Sequence, residues 1–464
     1  MKSAATTFGG EVSPLRQTNP APPHGFFENN PRGPRGLAVL PTPPSAGGYP
    51  PQRPPTCLVF VHAHPDDETL WTGGLIATAA QAGARVIVVT CTRGERGEVL
   101  TLPGTASEHE GWRQGDPAAL AEYRTGELHR ALAALAEGAP AGIEHHFLDE
   151  LPLSPGSVAS APRLAASPQT PTVPEVGSRY EDSGMAWVAP GVAGPDPNVA
   201  TGFATVPLDE AAGRLANLLT QLHQADPTDD IVVVTYEKGG GYGHPDHVKA
   251  HEVAARGVEL TQTKDKQKYA VALDAAWEQG ALACAANPLQ SVPPKPIAIW
   301  EAVIPRAEFV SLTRTLASDP AVRAYAQSHG LTVPGLPASA GDMPASADEL
   351  AAAASLPPMV LPAGEAPDIE VPVEPVLSNL IAAMRQYATQ IQAVQAFHGF
   401  AGQPGQPGQS GPSDQSGQSG PSGQPGQSEQ PGLAALGILG TFALSNGVVT
   451  PIRATETYRI ATAT

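Results

Sequence analysis

Cysteine is scarce in this chain: three in 464 residues, Cys57, Cys91 and Cys284, with no Cys-x-x-Cys pair. That argues against a disulfide framework and against a cysteine-based zinc site. Basic residues are also few, Lys+Arg 27 against Asp+Glu 45, for a net charge of −18. Phosphate-rich partners need Lys and Arg, so neither nucleic acid nor an anionic membrane is an expected partner. A long apolar run is missing too. The most apolar late stretch, Leu433 to Val449, is short for a bilayer and contains Ser445 and Asn446, so it reads as a buried element. The N-terminus, MKSAATTFGGEVSPLRQ, carries no apolar signal core. The expected location is the cytoplasm.

Glycine and proline, in contrast, are abundant, 48 and 51, and unevenly spread. Residues 1–55 hold 13 of the prolines and show no sustained period, which predicts a disordered leader. Residues 151–178 and 336–372 read as Pro-, Ser- and Ala-rich insertions. Residues 402–432 form a GQP/GQS/GPS repeat without an aromatic or basic residue, which cannot bury enough surface to offset its ordering entropy. The expected division is a leader over 1–55, an α/β domain over 56–335, the 336–372 insertion and a C-terminal part over 373–464.

Order begins abruptly at Cys57. Cys57-Leu-Val-Phe-Val-His-Ala is continuously apolar, the pattern of a strand buried on both faces, and Arg85-Val-Ile-Val-Val-Thr repeats it. The Ala/Leu-rich segment from Thr69 to Ala82 has helical length, so the three make a βαβ unit and the sheet is parallel. Helices are expected over Pro117–Leu135, Asp209–His223, Pro245–Gly257 and Val376–Val394. Strands are expected at Glu144–Leu148, Asp230–Tyr236 and Ile297–Pro305, and again after Leu433. The expected fold is α/β: a Rossmann-like parallel sheet flanked by helices, a smaller C-terminal part, and disordered Pro/Gly-rich segments.

Two clusters carry chemistry. His64-Pro-Asp-Asp-Glu68 follows the first strand, and Gly239-Gly-Gly-Tyr-Gly-His-Pro-Asp-His247 follows the Asp230–Tyr236 strand. In an open parallel sheet both lie at the carboxyl edge, where ligands gather. No G-x-G-x-x-G follows the first strand, so a dinucleotide is a poor reading. Ionisable groups packed beside apolar strands are costly without a cation or hydrogen bonds. Two imidazoles and one carboxylate with an open position suit a hydrolytic metal site. His64 and Asp67, joined by a tight turn, and His247 are the expected ligands, with Asp66 facing the attacking water. Each part has a plainer reading. Asp67 and Glu68 suit a helix N-terminus, the glycines suit a loop, and His251 suits a packed helix position. The conjunction of two clusters on one edge is what favours a metal.

Val61-His-Ala-His-Pro-Asp-Asp-Glu68 and Gly243-His-Pro-Asp-His247 resemble the LmbE/PIG-L-like family of zinc-dependent N-deacetylases. The resemblance continues through Val88-Val-Thr-Cys-Thr-Arg-Gly-Glu-Arg-Gly-Glu98, Tyr123-Arg-Thr-Gly-Glu-Leu128 and Arg179-Tyr-Glu-Asp-Ser-Gly-Met185, and covers most of residues 57–260. Within the family it is nearest to the branch that removes acetate from N-acetyl-glucosaminyl-inositol in mycothiol biosynthesis. A related branch, the mycothiol S-conjugate amidases, or another LmbE-like N-deacetylase is the alternative. The resemblance implies zinc, or iron(II), held by His64, Asp67 and His247, with Asp66 as general base. It implies that His244 stabilises the oxyanion or supplies a proton and that Tyr242 polarises the carbonyl. It further implies that Arg124 and Asp182 hold the hydroxyls of an amino-sugar inositol substrate beside an apolar wall at Met185. On residue pattern alone Arg124 reads as a helix-surface residue paired with Glu127 or Glu122. Trp71, four residues after Asp67, departs from the smaller or polar residues common in relatives and lies near the pocket.

Overall fold

The computed structural model describes residues 56–100, 116–153, 180–189, 192–196, 199, 201–278, 295–334, 356–397 and 432–461. The expected leader, most of the 151–178 insertion, and the GQP repeat lie outside them.

The first half of the fold runs β1 (Cys57–His62), α1 (Asp67–Gln81), β2 (Arg85–Thr90), α2 (Pro117–Leu135) and β3 (Glu144–Phe147). A short hairpin, β4 (Ala186–Ala189) and β5 (Val192–Gly194), comes next, then α3 (Leu208–Ala225) and β6 (Ile231–Tyr236). After the single turn α4 (Gly240–Gly243), the chain forms α5 (Pro245–Glu278), β7 (Ala298–Val303), α6 (Arg306–Ser318) and α7 (Pro320–Ser328). The last elements are β8 (Ile369–Pro372), α8 (Leu377–Met384), β9 (Gln392–Ala396), β10 (Ile438–Ala443), β11 (Val449–Arg453) and β12 (Thr455–Ile460).

The main sheet has the order β3-β2-β1-β6-β7-β12-β8. Its first five strands are parallel, and β12 runs antiparallel to both β7 and β8. Both faces of β1 are buried, as its apolar run requires. Leu58 and Phe60 join a core with α1, α2 and α8, whereas Val59 and Val61 join one with α3 and α5. Chain order reverses between β1 and β6, so a crevice opens beyond their carboxyl ends. Among the described residues no helix is long and apolar enough to cross a membrane.

Helix α2 has the expected bounds because its start is written locally. Asp116 accepts from the Ala119 amide at 3.1 Å and Pro117 fills the first turn. Three expectations are corrected. The 336–372 insertion does not extend to 372, since Ile369–Pro372 is the edge strand of the main sheet, paired with β12. The helix expected over Val376–Val394 stops at Met384, and Gln392–Ala396 is a strand of a separate antiparallel sheet, β11-β10-β9. The intervening Tyr387 and Thr389 are drawn to Glu68 and Glu127 on α1 and α2, contacts that override helix periodicity. The helix from Pro245 runs to Glu278, well past Gly257. The return of the chain after Leu433 holds, and β12 delivers Glu456 to α1. There its carboxylate accepts from the Gly74 and Leu75 amides at 2.7 and 2.9 Å.

One stability prediction arises in β3. Burial, reinforced by His129 and His146, lowers the His145 pKa from 6.5 to about 3. Between those values the unfolded chain binds a proton that the folded chain refuses. The His145 contribution is therefore intact above about pH 6.5 and falls by at most about 1.4 kcal/mol per pH unit below it. His145→Gln should reduce the loss of urea midpoint between pH 7.5 and 4.5. An undiminished loss removes His145 from the acid response.

Candidate metal centre and active site

The two clusters predicted from sequence meet at the β1/β6 crevice. The Ala63 amide donates to Tyr236 Oη at 3.0 Å and ties the two strand ends together. The Asp67 carboxylate is the hub. Its Oδ2 accepts from the His64 amide at 2.9 Å, lies 3.2 Å from His64 Nδ1 and lies 3.3 Å from His247 Nε2. Four ligands at roughly 2.0–2.1 Å in a tetrahedron stand about 3.3 Å apart, so the two spacings suit a small cation. His247 is 0% exposed; its Nε2 faces only the Asp67 carboxylate, at 3.3 Å, and its Nδ1 has no hydrogen-bond partner. A buried imidazole in that state is costly, and a cation would satisfy it. The residues present therefore fit a metal. His64, His244 and His247 also bring ligand atoms within 4.8 Å of one another, as do His64, Asp182 and Asp246.

Asp66 stands at the mouth of this group. It precedes α1 yet makes no side-chain cap, and its backbone adopts φ 115°, ψ −31°. That conformation is unfavourable for a residue with a Cβ, by about 1–3 kcal/mol. Its carboxylate lies 3.3 Å from an Arg124 nitrogen. Burial holds the Asp66 carboxyl well above the usual carboxylate range, against the pull of Arg124. Burial opposes the charge on Asp67 too, but the imidazoles of His247 and His64 outweigh it and hold that carboxyl well below the range. Two adjacent acids are thus separated in basicity by their surroundings.

The glycine-rich loop supplies the opposite wall. Glu237 accepts from the Gly239 and Gly241 amides at 2.6 and 2.9 Å. Gly241 has φ 74°, and a Cβ there would overlap the Trp71 indole. The loop therefore turns tightly enough to bring Tyr242 over the histidines, 5.0 Å from the His247 ring centre. Trp71 stacks on Tyr242 at 6.3 Å and meets Tyr236 and His247 edge-on, so it packs against the loop at the pocket border. His244 stands 4.6 Å from the His64 ring and 4.8 Å from the His247 ring. Burial, with His64 and His247 adding to it, holds the His244 pKa well below the usual range. Its Nδ1 accepts from the Asp246 amide at 3.1 Å, which leaves Nε2 to carry the proton.

Residues 59–257 match the family model described as GlcNAc-PI de-N-acetylase, PIG-L. Over 208 residues it is 41% identical to a 1D-myo-inositol 2-acetamido-2-deoxy-alpha-D-glucopyranoside deacetylase of Kineococcus radiotolerans, covering 44% of this chain and 45% of that one. Over 202 residues it is 42% identical to a protein of the same name, numbered 1, from Saccharopolyspora erythraea, covering 43% and 52%. The Rhodococcus erythropolis protein of that name is 35% identical over 206 residues, covering 44% and 54%. The matches thus span about half the length of these relatives.

Within residues 59–257 the remaining expected residues fall as follows. Arg124 is not a surface residue: it is 3% exposed, and its guanidinium donates to Gly94 O at 2.6 Å and Pro65 O at 2.5 Å. The pairing with Glu127 or Glu122 is thereby corrected, because Glu127 accepts instead from the amide and hydroxyl of Thr389 at 3.0 and 2.6 Å. Arg124 binds the loops after β1 and β2 together. Asp182 is buried, with Oδ1 3.6 Å from His64 Nε2 and accepting from the Gly184 amide at 2.7 Å. Met185 follows, half-buried, at the start of the β4–β5 hairpin. His251 packs as expected, its Nδ1 3.0 Å from Tyr236 O.

Two residues escaped the sequence reading. Asp246 is fully buried, 3.2 Å from His64 Nε2, and accepts from the Ser183 and Ala204 amides at 2.8 and 3.1 Å. Its place between two candidate histidines was the available signal. Glu237 is the other, an acid two residues before the glycine run.

Proposed function

We propose that this protein is a metal-dependent N-deacetylase. On this reading it hydrolyses the acetamide of N-acetyl-glucosaminyl-inositol to glucosaminyl-inositol and acetate, a step of mycothiol biosynthesis. The observation that carries the reading is the convergence of His64 and His247 on Asp67 Oδ2 with the high-pKa carboxyl of Asp66 beside them. The name these relatives share supports the substrate.

His64, Asp67 and His247 would hold the metal, zinc or iron(II). A bound divalent ion supplies Lewis acidity for an amide carbonyl and lowers the pKa of water towards about 7. Asp66 takes the proton from the attacking water as oxygen bonds to the amide carbon. A carboxyl pushed up by burial is a stronger base than an ordinary one and returns that proton to the leaving nitrogen. His244 enters as a neutral imidazole whose Nε2–H donates to the developing oxyanion, and Asp246 fixes that tautomer through its amide. Tyr242 adds its hydroxyl to the carbonyl oxygen, held in place by Trp71 and the Glu237-bound loop. Asp182 orients the sugar and inositol hydroxyls, Arg124 holds the loops that frame them, and Met185 closes the pocket with apolar surface. The reading retains the cytoplasmic location expected from the sequence.

The test compares initial rates on N-acetyl-glucosaminyl-inositol and on a mycothiol S-conjugate. Faster cleavage of the first is the expected result. Preference for the S-conjugate would move the protein to the amidase branch, and cleavage of neither would reject both.

A further inference from the structure

The PIG-L domain match ends at residue 257, yet a strap from the C-terminal part reaches its active site. Helix α8 ends at Met384, and the next six residues make contacts with α1, α2 and the segment that follows β2. Tyr387, fully buried, donates its hydroxyl to Glu68 Oε1 at 2.6 Å, across 319 residues of sequence. The other oxygen of that carboxylate, Oε2, accepts from the Asp66 amide at 3.1 Å. Thr69 Oγ1 completes the set, donating to Oε1 at 2.6 Å. Three donors thus converge on one buried carboxylate. One of them is the amide of a residue held at φ 115°.

The strap also binds the helix that carries Arg124, the second neighbour of Asp66. Thr389 binds Glu127, one turn along α2 from Arg124, and the Leu100 amide donates to Thr389 O at 2.8 Å. Gln390 donates to Glu98 O at 3.3 Å. A strained backbone persists only where its surroundings over-determine it. Here Glu68 fixes the Asp66 amide and Arg124 lies against its carboxylate, and residues 387–390 anchor the Glu68 and Glu127 side chains.

We infer that Tyr387, acting through Glu68, is a positioning residue that holds Asp66 in its working conformation. The inference rests on the deacetylase reading for its effect on turnover. Tyr387→Phe keeps the buried ring and removes only the hydroxyl. In the zinc-loaded full chain the expected result is a fall in kcat of about tenfold or more, since small misplacement of a reacting group costs up to about a hundredfold. KM and bound zinc should be unchanged, and the Asp66 amide should exchange hydrogen faster. Glu68→Gln should lower kcat too, and adding Tyr387→Phe to it should cost little more, because both act on one link. Unchanged kcat overturns the inference, as does unchanged exchange. So does a kcat loss matched by equal loss of zinc or of folded protein, which would make Tyr387 merely structural. The exchange comparison needs no substrate, so failure of the deacetylase reading, seen as no amine released by the unsubstituted protein, is separately visible.

Discussion

Asp66→Asn should lower kcat by about a thousandfold, within the range that a general base contributes, while zinc content stays at that of the unsubstituted protein. Asparagine is the informative replacement for a conformational reason. Asp66 sits at φ 115°, and Asn tolerates positive φ better than Ala does. The hydrogen bond from the residue-66 backbone N–H to Glu68 and the approach to Arg124 survive, so the backbone is not released along with the charge. What disappears is the site that takes the proton from water. His64, Asp67 and His247 are untouched, and metal analysis of the purified variant separates loss of base from loss of ion. Turnover within a few-fold of the unsubstituted protein would remove Asp66 from the reaction.

His247→Ala should empty the site. Changing the supports of a metal ligand typically costs about 10–100-fold in affinity, and removing a ligand should exceed that. The expected result is loss of bound zinc at equilibrium and activity at background. Part of any stability change has another cause, because the His247 ring stacks on Tyr236 at 4.2 Å and its removal leaves a cavity. Metal content is therefore read on folded protein, with His251→Ala beside it. His251 bonds to Tyr236 O and lies outside the ligand group, so that variant should keep its zinc. Stoichiometric zinc in His247→Ala would overturn the ligand set and favour the grouping of His64 with Asp182 and Asp246.

What sequence reading reached, and what it did not, follows from distance along the chain. His64 to Glu68 and Gly239 to His247 are contiguous runs at the ends of continuously apolar strands, so their shared sheet edge was legible. The start of α2 was legible because Asp116 and Pro117 encode it locally. The contacts of Tyr387 with Glu68, Thr389 with Glu127 and Glu456 with α1 join residues hundreds apart. No local period announces such pairs. They are also why the chain after Met384 leaves the helix that its composition favours. The edge strand Ile369–Pro372 was hidden for a different reason: it is four residues long, lies in a Pro-rich neighbourhood, and exists because β12 pairs with it. Arg124 reads as a surface residue from its glutamate neighbours, and only the approach of two loops buries it.

The most direct test follows amine and acetate released from N-acetyl-glucosaminyl-inositol by this protein, before chelation, after it, and after zinc is restored. The account predicts equal amounts of both products, loss of the activity on chelation and its recovery with zinc. Release that persists undiminished in the chelated protein, or no release from the zinc-loaded protein, would contradict it.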